Sequence, residues 1–370
     1  MPQALSTTSS RRRAVKKWNI SLCAALVLGL AALIFVQALV TPKYTGVSRD
    51  GSLTAEYYEF AGDNDVLFIG DCEVYENFSP ITLWENYGIP SAIRGSPQQM
   101  IWQSYYLLED ALRYETPRAV VFNVLSMKYD TPKSAGPASR REAYNRMTLD
   151  GMRWSSSKVA AIFASMTEEE KGRSAQWSYV FPLLRYHERW SELEKEDLQY
   201  LLGKDPVSHN GYLMQVGVKP VTADHVEPPL ADYTLGENSW YYLNKMETLC
   251  REKGIALILV KAPTLYPIWW DPWDAQVAAY AGEKGLMYLN FLDVQAEVGI
   301  DWETDTYDTG LHLNVYGAEK LTDYFGRILS RECGLPDRRD DPALSGLWAE
   351  KCRRYSEEKQ ALEAERDGNG

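Results

Sequence analysis

The sequence predicts an α/β protein: a doubly wound, three-layer parallel sheet carrying a helical insertion and preceded by one transmembrane helix. Three observations carry this reading. Short, wholly apolar runs stop at polar loops, as Val66-Leu67-Phe68-Ile69 does before Gly70-Asp71, which is how strands buried on both faces of a parallel sheet read. Segments with helical spacing alternate with those runs, the pattern of strand-helix-strand units. An uncharged apolar stretch from about Trp18 to Val40 stands apart from both.

That stretch holds about 20 apolar residues, enough at 1.5 Å each to cover a ~30 Å hydrocarbon core and longer than the apolar region of a signal peptide. Arg11, Arg12, Arg13, Lys16 and Lys17 precede it, so by the positive-inside rule residues 1–17 form a cytoplasmic basic tail and everything from Thr41 is extracytoplasmic. Residues 41–64 read as a short stalk with room for one helix. The main domain is expected over 65–335, with strands at Val66–Ile69, Ser91–Ile93, Ala119–Phe122, Ile255–Val260 and Met287–Leu289. Helices are expected over 97–114, 240–250, 273–283 and 315–333. The stretch 127–238 is too long for a loop and must carry its own elements, so it reads as a helical insertion over the active edge. Residues 336–370 read as a charged C-terminal tail, a linker over 337–341 followed by a charged amphipathic helix over 342–367, taken as a solvated appendage.

Composition narrows the function. A net charge of -12 over 370 residues leaves nothing to neutralise phosphates along a groove, which argues against a nucleic-acid partner. Cysteine is sparse: outside the apolar span stand Cys72, Cys250, Cys333 and Cys352, whose pairing the sequence leaves open. There is no Cys-x-x-Cys and no compact His/Cys cluster, so neither a metal site nor a cofactor is expected.

Three fragments carry chemistry. Phe68-Ile69-Gly70-Asp71-Cys72-Glu73 sets a nucleophile just past a buried strand, where a turn exposes it at the sheet edge. Arg94-Gly95-Ser96 follows the next strand, and the small Gly95 lets a backbone N–H approach a developing oxyanion. Asp308-Thr309-Gly310-Leu311-His312 lies before the last domain helix. Nucleophilic catalysis needs a base beside the nucleophile and an acceptor that fixes the base's tautomer, roles for His312 and Asp308, with Asp305 as an alternative orienter. A thiol needs less activation than a hydroxyl, so Cys72 is a competent candidate.

In this order the blocks resemble those of the SGNH/GDSL hydrolase superfamily, an SGNH/flavodoxin-like fold, over about Val66 to Leu329 and most strongly at the two ends. One N-terminal span followed by an outward domain is similar to the D-alanyl transfer and alginate O-acetylation branch. The resemblance implies an acyl-ester hydrolase or O-acyltransferase with a Cys72-His312-Asp308 triad, and Gly95 and Asn123 at the oxyanion. Its partners would be an acyl donor, an envelope glycan or polymer acceptor and a membrane-bound acyl-transfer protein. Three features depart from the family pattern: cysteine replaces serine, three residues rather than two separate Asp308 from His312, and no Gly-x-Asn-Asp follows the strand at Ala119. They leave a second expectation open, an inactive SGNH-like binding or scaffold protein of polysaccharide assembly.

Within the insertion, Arg146, Arg153, Trp154 and His209 are candidate substrate contacts, suited to an anionic group and to sugar faces. Lys261 ends a strong strand and either faces the ligand edge, the favoured reading, or caps the strand. Trp269, Trp270 and Trp273 either wall a carbohydrate cleft or pack a hydrophobic corner, while His187 and His225 read as structural.

Overall fold

Five short runs rich in Val, Ile, Leu and Phe pair side by side, all in parallel: β1 (Val66–Gly70), β2 (Ser91–Gly95), β3 (Ala119–Asn123), β4 (Ala256–Lys261) and β5 (Met287–Asn290). Their spatial order is β2-β1-β3-β4-β5, so the direction of winding reverses beside β1, where open sheets of this kind bind ligands. The structure, a computed structural model, describes residues 6–42, 53–202 and 207–368, and leaves out the side chains of 6–17, 196 and 200. The chain divides into two compact units, Met1–Lys43 with Trp177–Lys204, and Tyr44–Gln176 with Asp205–Gly370.

The first unit is built on α1 (Ser6–Val40). Its apolar part, Trp18–Val40, has 23 residues of mean hydropathy 2.6, or about 34 Å at 1.5 Å per residue. That is long enough to cross a membrane. The basic side chains of residues 11–17 lie outside those described.

The second unit is the sheet and its cover. In chain order its helices begin with α2 (Leu53–Phe60), α3 (Cys72–Tyr75), α4 (Pro80–Tyr87) and α5 (Ile101–Ala111). The insertion is helical, with α6 (Ala138–Leu149), α7 (Ser156–Ala164), α8 (Glu168–Gly172), α9 (Gln176–Val180), α10 (Leu183–Tyr186) and α11 (Lys195–Leu201). The last two and most of α9 belong to the first unit. The chain closes with α12 (Glu237–Glu252), α13 (Asp271–Lys284), α14 (Gln295–Val298), α15 (Val315–Arg331) and α16 (Pro342–Gly368).

Alternation along β1 splits the core. Val66 and Phe68 face a cluster with Phe78, Ile81, Leu321 and Phe325, whereas Leu67 and Ile69 face one with Ile101, Leu108, Leu243 and Met246. Each such side chain contributes about 1.5–3 kcal/mol on full burial, so the sheet is held from both faces. Helix α15 shows why these helices form where they do. Asn314 caps it by accepting from the Tyr316 and Gly317 N–H groups, and Val315, Ala318, Leu321, Thr322, Phe325 and Leu329 recur on its buried side.

Two expectations about the ends of the domain are corrected. Of the stalk expected over 41–64, residues 43–52 lie outside those described, and α2 is domain structure: Tyr57 is fully buried and donates to Glu115, while Glu56 accepts from the backbone of Val207 and Ser208. The helix expected over 342–367 is α16, but it is no solvated appendage: it buries Leu344, Trp348 and Tyr355 and stacks Trp348 on Trp84 at 5.0 Å. Three apolar residues spread along a charged helix give a weak periodic signal, which is why the pattern reads as solvated.

Candidate active site

Strand β1 delivers Cys72 to the carboxyl edge of the sheet through two glycines. A Cβ at Gly70 would stand 2.4 Å from Val74 Cγ2, and one at Gly95, its register partner on β2, would stand 3.1 Å from both the Gly70 carbonyl and the Tyr75 ring. Glycine is therefore what allows the one-turn helix α3 to fold tightly over the strand ends. Asp71 caps that turn by accepting from the Glu73 N–H at 3.2 Å, so Cys72 begins α3 and Glu76 follows directly after it.

His312 arrives from the other end of the domain. Asn77 makes the connection, its Oδ1 accepting from the Leu313 N–H at 2.9 Å. Within the loop, Asp308 holds the histidine twice, with Oδ1 accepting from the His312 backbone N–H at 2.8 Å and Oδ2 lying 2.7 Å from ring Nδ1. Left-handed backbone at Thr309 (φ 64°) and Gly310 (φ 92°) brings the carboxylate back to the ring, so the longer Asp–His spacing is absorbed by a turn. Thr306 donates to the His312 carbonyl at 2.8 Å, and His225 Nε2 donates to that of Thr309 at 2.6 Å. Asp305 is not the orienter, because Lys320 at 2.7 Å and the Asp301 N–H at 2.8 Å occupy it.

The imidazole lies between two carboxylates and a thiol. Glu76 Oε2 is 3.3 Å from Nδ1 and also accepts from the Tyr307 hydroxyl, while the Tyr307 ring stacks on the imidazole. Nε2 is buried and forms no aligned hydrogen bond. Its neighbour is Cys72, close enough that each group shifts the other's ionisation. Burial works against a charged imidazole, but the Cys72 sulfur and the Glu76 and Asp308 carboxylates outweigh it and hold His312 well above its ordinary value. Burial pushes the Cys72 thiol up to about 11, although the imidazole pulls the other way.

Beneath Cys72 lies a closed polar network. Lys261 Nζ contacts Glu73 Oε1 and Oε2 at 3.0 and 2.9 Å and donates to the Ala262 carbonyl and Thr264. Of the two expectations for Lys261 this corrects the ligand-edge one, because the side chain is fully buried at the strand end. Asn123 is likewise engaged, donating to Asp71 at 3.2 Å and Glu73 at 2.9 Å and accepting from the Ala262 N–H at 3.0 Å. Its amide is committed to joining strand ends and is not offered to an oxyanion. Burial, then the nearby Glu73 charge, raises Asp71 to about 6.

The expected insertion contacts have other partners. Arg146 pairs with Glu142 and Asp150, Arg153 lies 4.4 Å above the Tyr58 ring, and Trp154 is exposed with Lys158 over its face. His209 is buried against α16, 3.1 Å from Glu358 and edge-on to Tyr355, and lines a cleft between α2 and α16. Around it the chain shields the open edge of β2: Ile93 N–H donates to the Asn210 carbonyl, and a Cβ at Gly211 would strike the Ile93 carbonyl at 2.3 Å. Trp269 and Trp273 pack a corner, as one of the two expectations had it. No disulfide joins cysteines among the described residues.

Four site residues escape the sequence reading. Glu76, Asn77 and Tyr307 touch the histidine loop or its ring. Lys128, whose ammonium is held below its ordinary value by burial, lies within electrostatic range of Glu73, Asp71 and Cys72. Only Glu76 had a usable signal, its position one helical turn beyond Cys72.

Fold and site thus define an α/β protein with a five-stranded, all-parallel sheet and a thiol, imidazole and two carboxylates gathered at its carboxyl edge. No protein-family model matches the chain, and no curated protein matches it in sequence.

Proposed function

We propose that this is an SGNH-type acyl-ester hydrolase or O-acyltransferase, held at the membrane by α1 with its main domain extracytoplasmic, acting on a cell-envelope polymer or glycan. The observation that carries the reading is the buried His312, its Nδ1 fixed by Asp308 and its Nε2 left open beside the Cys72 sulfur at the edge where parallel sheets bind ligands. The SGNH-like fold is supported by the strand order and by the positions of the nucleophile and Asp/His blocks at its two ends.

In this mechanism His312 takes the Cys72 proton and the sulfur attacks the ester carbonyl. The oxyanion is held by the backbone N–H groups of Cys72 and Gly95. Collapse expels the alcohol, which leaves with the proton from His312, and a thioester remains. Water or an acceptor hydroxyl then attacks while His312 removes its proton, and the thiol is regenerated as the acid or new ester leaves.

One observation favours a second reading, a non-catalytic SGNH-like binding or scaffold module. Burial lifts the Cys72 thiol to about 11, which suits an inert thiol. Intact-mass analysis of the purified chain exposed to p-nitrophenyl acetate separates the two. The enzyme reading expects an acetyl adduct on Cys72 that is lost in His312→Ala with the fold retained, and no adduct with any ester donor favours the binding module.

A further inference from the structure

A concentration of exposed apolar side chains lies in a segment that the chemistry above does not use. Trp177, Phe181, Leu184, Trp190, Leu198 and Leu202 are between 42% and 85% exposed, on α9 to α11 and the turns between them. The same compact unit contains α1. Along α1 the side chains are exposed from Trp18 to Phe35 and become covered only from Val36, where α10, the turn at 187–191 and α11 pack against it.

Arg189 sets the height of this packing. Its Nη1 donates to the Val40 carbonyl at 2.7 Å, one of the last α1 carbonyls left without an intrahelical partner, while Nη2 grips Asp197 at 3.1 and 3.2 Å. The charge is thus neutralised within the unit, and the short helices are fastened where the apolar span ends. Aromatic side chains concentrate at that boundary in membrane proteins, where an amphipathic ring meets both acyl chains and headgroups. The exposed patch and the apolar span belong to one compact unit and are joined where the span ends, so the medium around that end of α1 is the one the patch meets.

We infer that residues 177–202 rest in the headgroup-acyl boundary of the leaflet from which α1 emerges, with phospholipid as the occupant of their exposed apolar face. The inference depends on α1 spanning the bilayer. Nothing in it depends on Cys72 chemistry.

The full chain, reconstituted in phosphatidylcholine and phosphatidylglycerol vesicles with or without brominated acyl chains, tests this through tryptophan fluorescence. The signal removed by Trp177→Phe with Trp190→Phe should be quenched about twofold by brominated lipid and shielded from aqueous acrylamide. The signal removed by Trp18→Phe reports on the span alone. If Trp18 is quenched by lipid while Trp177 and Trp190 respond only to acrylamide, α1 spans and the inference is overturned. If Trp18 also escapes lipid quenching, the spanning reading fails and the inference falls with it. Leu184→Ser with Leu202→Ser leaves every tryptophan in place and should lower the lipid quenching of Trp177 and Trp190; unchanged quenching counts against the inference.

Discussion

The turn after β1 sends its side chains into two buried charge clusters that differ in one respect. Asp71 and Glu73 join Asn123, Lys261 and Thr264, where both Glu73 oxygens and the Lys261 ammonium have partners. Cys72 and Glu76 meet His312, where Nδ1 has two carboxylates and Nε2 has no aligned partner. A satisfied network fixes geometry, and a buried polar atom left open is where a reacting group can be received. One turn of backbone thus supplies both a fixed foundation and the thiol that faces the histidine.

Substitutions can break that contrast. The largest expected effect is His312→Ala, which should slow acylation of Cys72 by roughly 10³-fold or more, as read by single-turnover intact mass on protein that denaturant titration shows to be folded. Lys261→Met should act on stability instead. It strands Glu73 in the core at a cost of about 3–5 kcal/mol, and Glu73→Met added to it should restore most of that stability.

Smaller effects sharpen the comparison through pH. With the thiol lifted to about 11 by burial, alkylation of Cys72 by iodoacetamide should keep rising above about pH 10, where an ordinary thiol has levelled off. Because the imidazole pulls the thiol down, His312→Ala should move that rise to still higher pH; a midpoint at about pH 8.5 in either protein would contradict the burial. Smallest is Glu76→Gln. It removes one of the carboxylates that favour the imidazolium, so His312 should titrate lower by NMR, with a stability change of about 1 kcal/mol.

What was legible in the sequence follows from range. All five strands stand within a residue or two of their apolar runs, because burial on both faces writes itself into consecutive residues. The approach of Asp308 to His312 was also readable, being local. Lys261 and Asn123 were misread because the end of a strand does not reveal its side chain's partner, and theirs is Glu73, far away in the chain. His209 was misread for a similar reason, since its partners lie on α16, whose buried residues are too thinly spaced to signal docking. Glu76 was missed although its spacing from Cys72 was available, because its role depends on a ring brought in by the fold.

The double grip of Asp308 on His312 has a dynamic consequence. One carboxylate binds both the main chain and the ring of the same residue, so the imidazole cannot rotate about its side-chain bonds without losing a contact that also shapes the loop. Such a ring starts each proton transfer already aimed, and little orientational freedom remains to be surrendered on the way to the transition state.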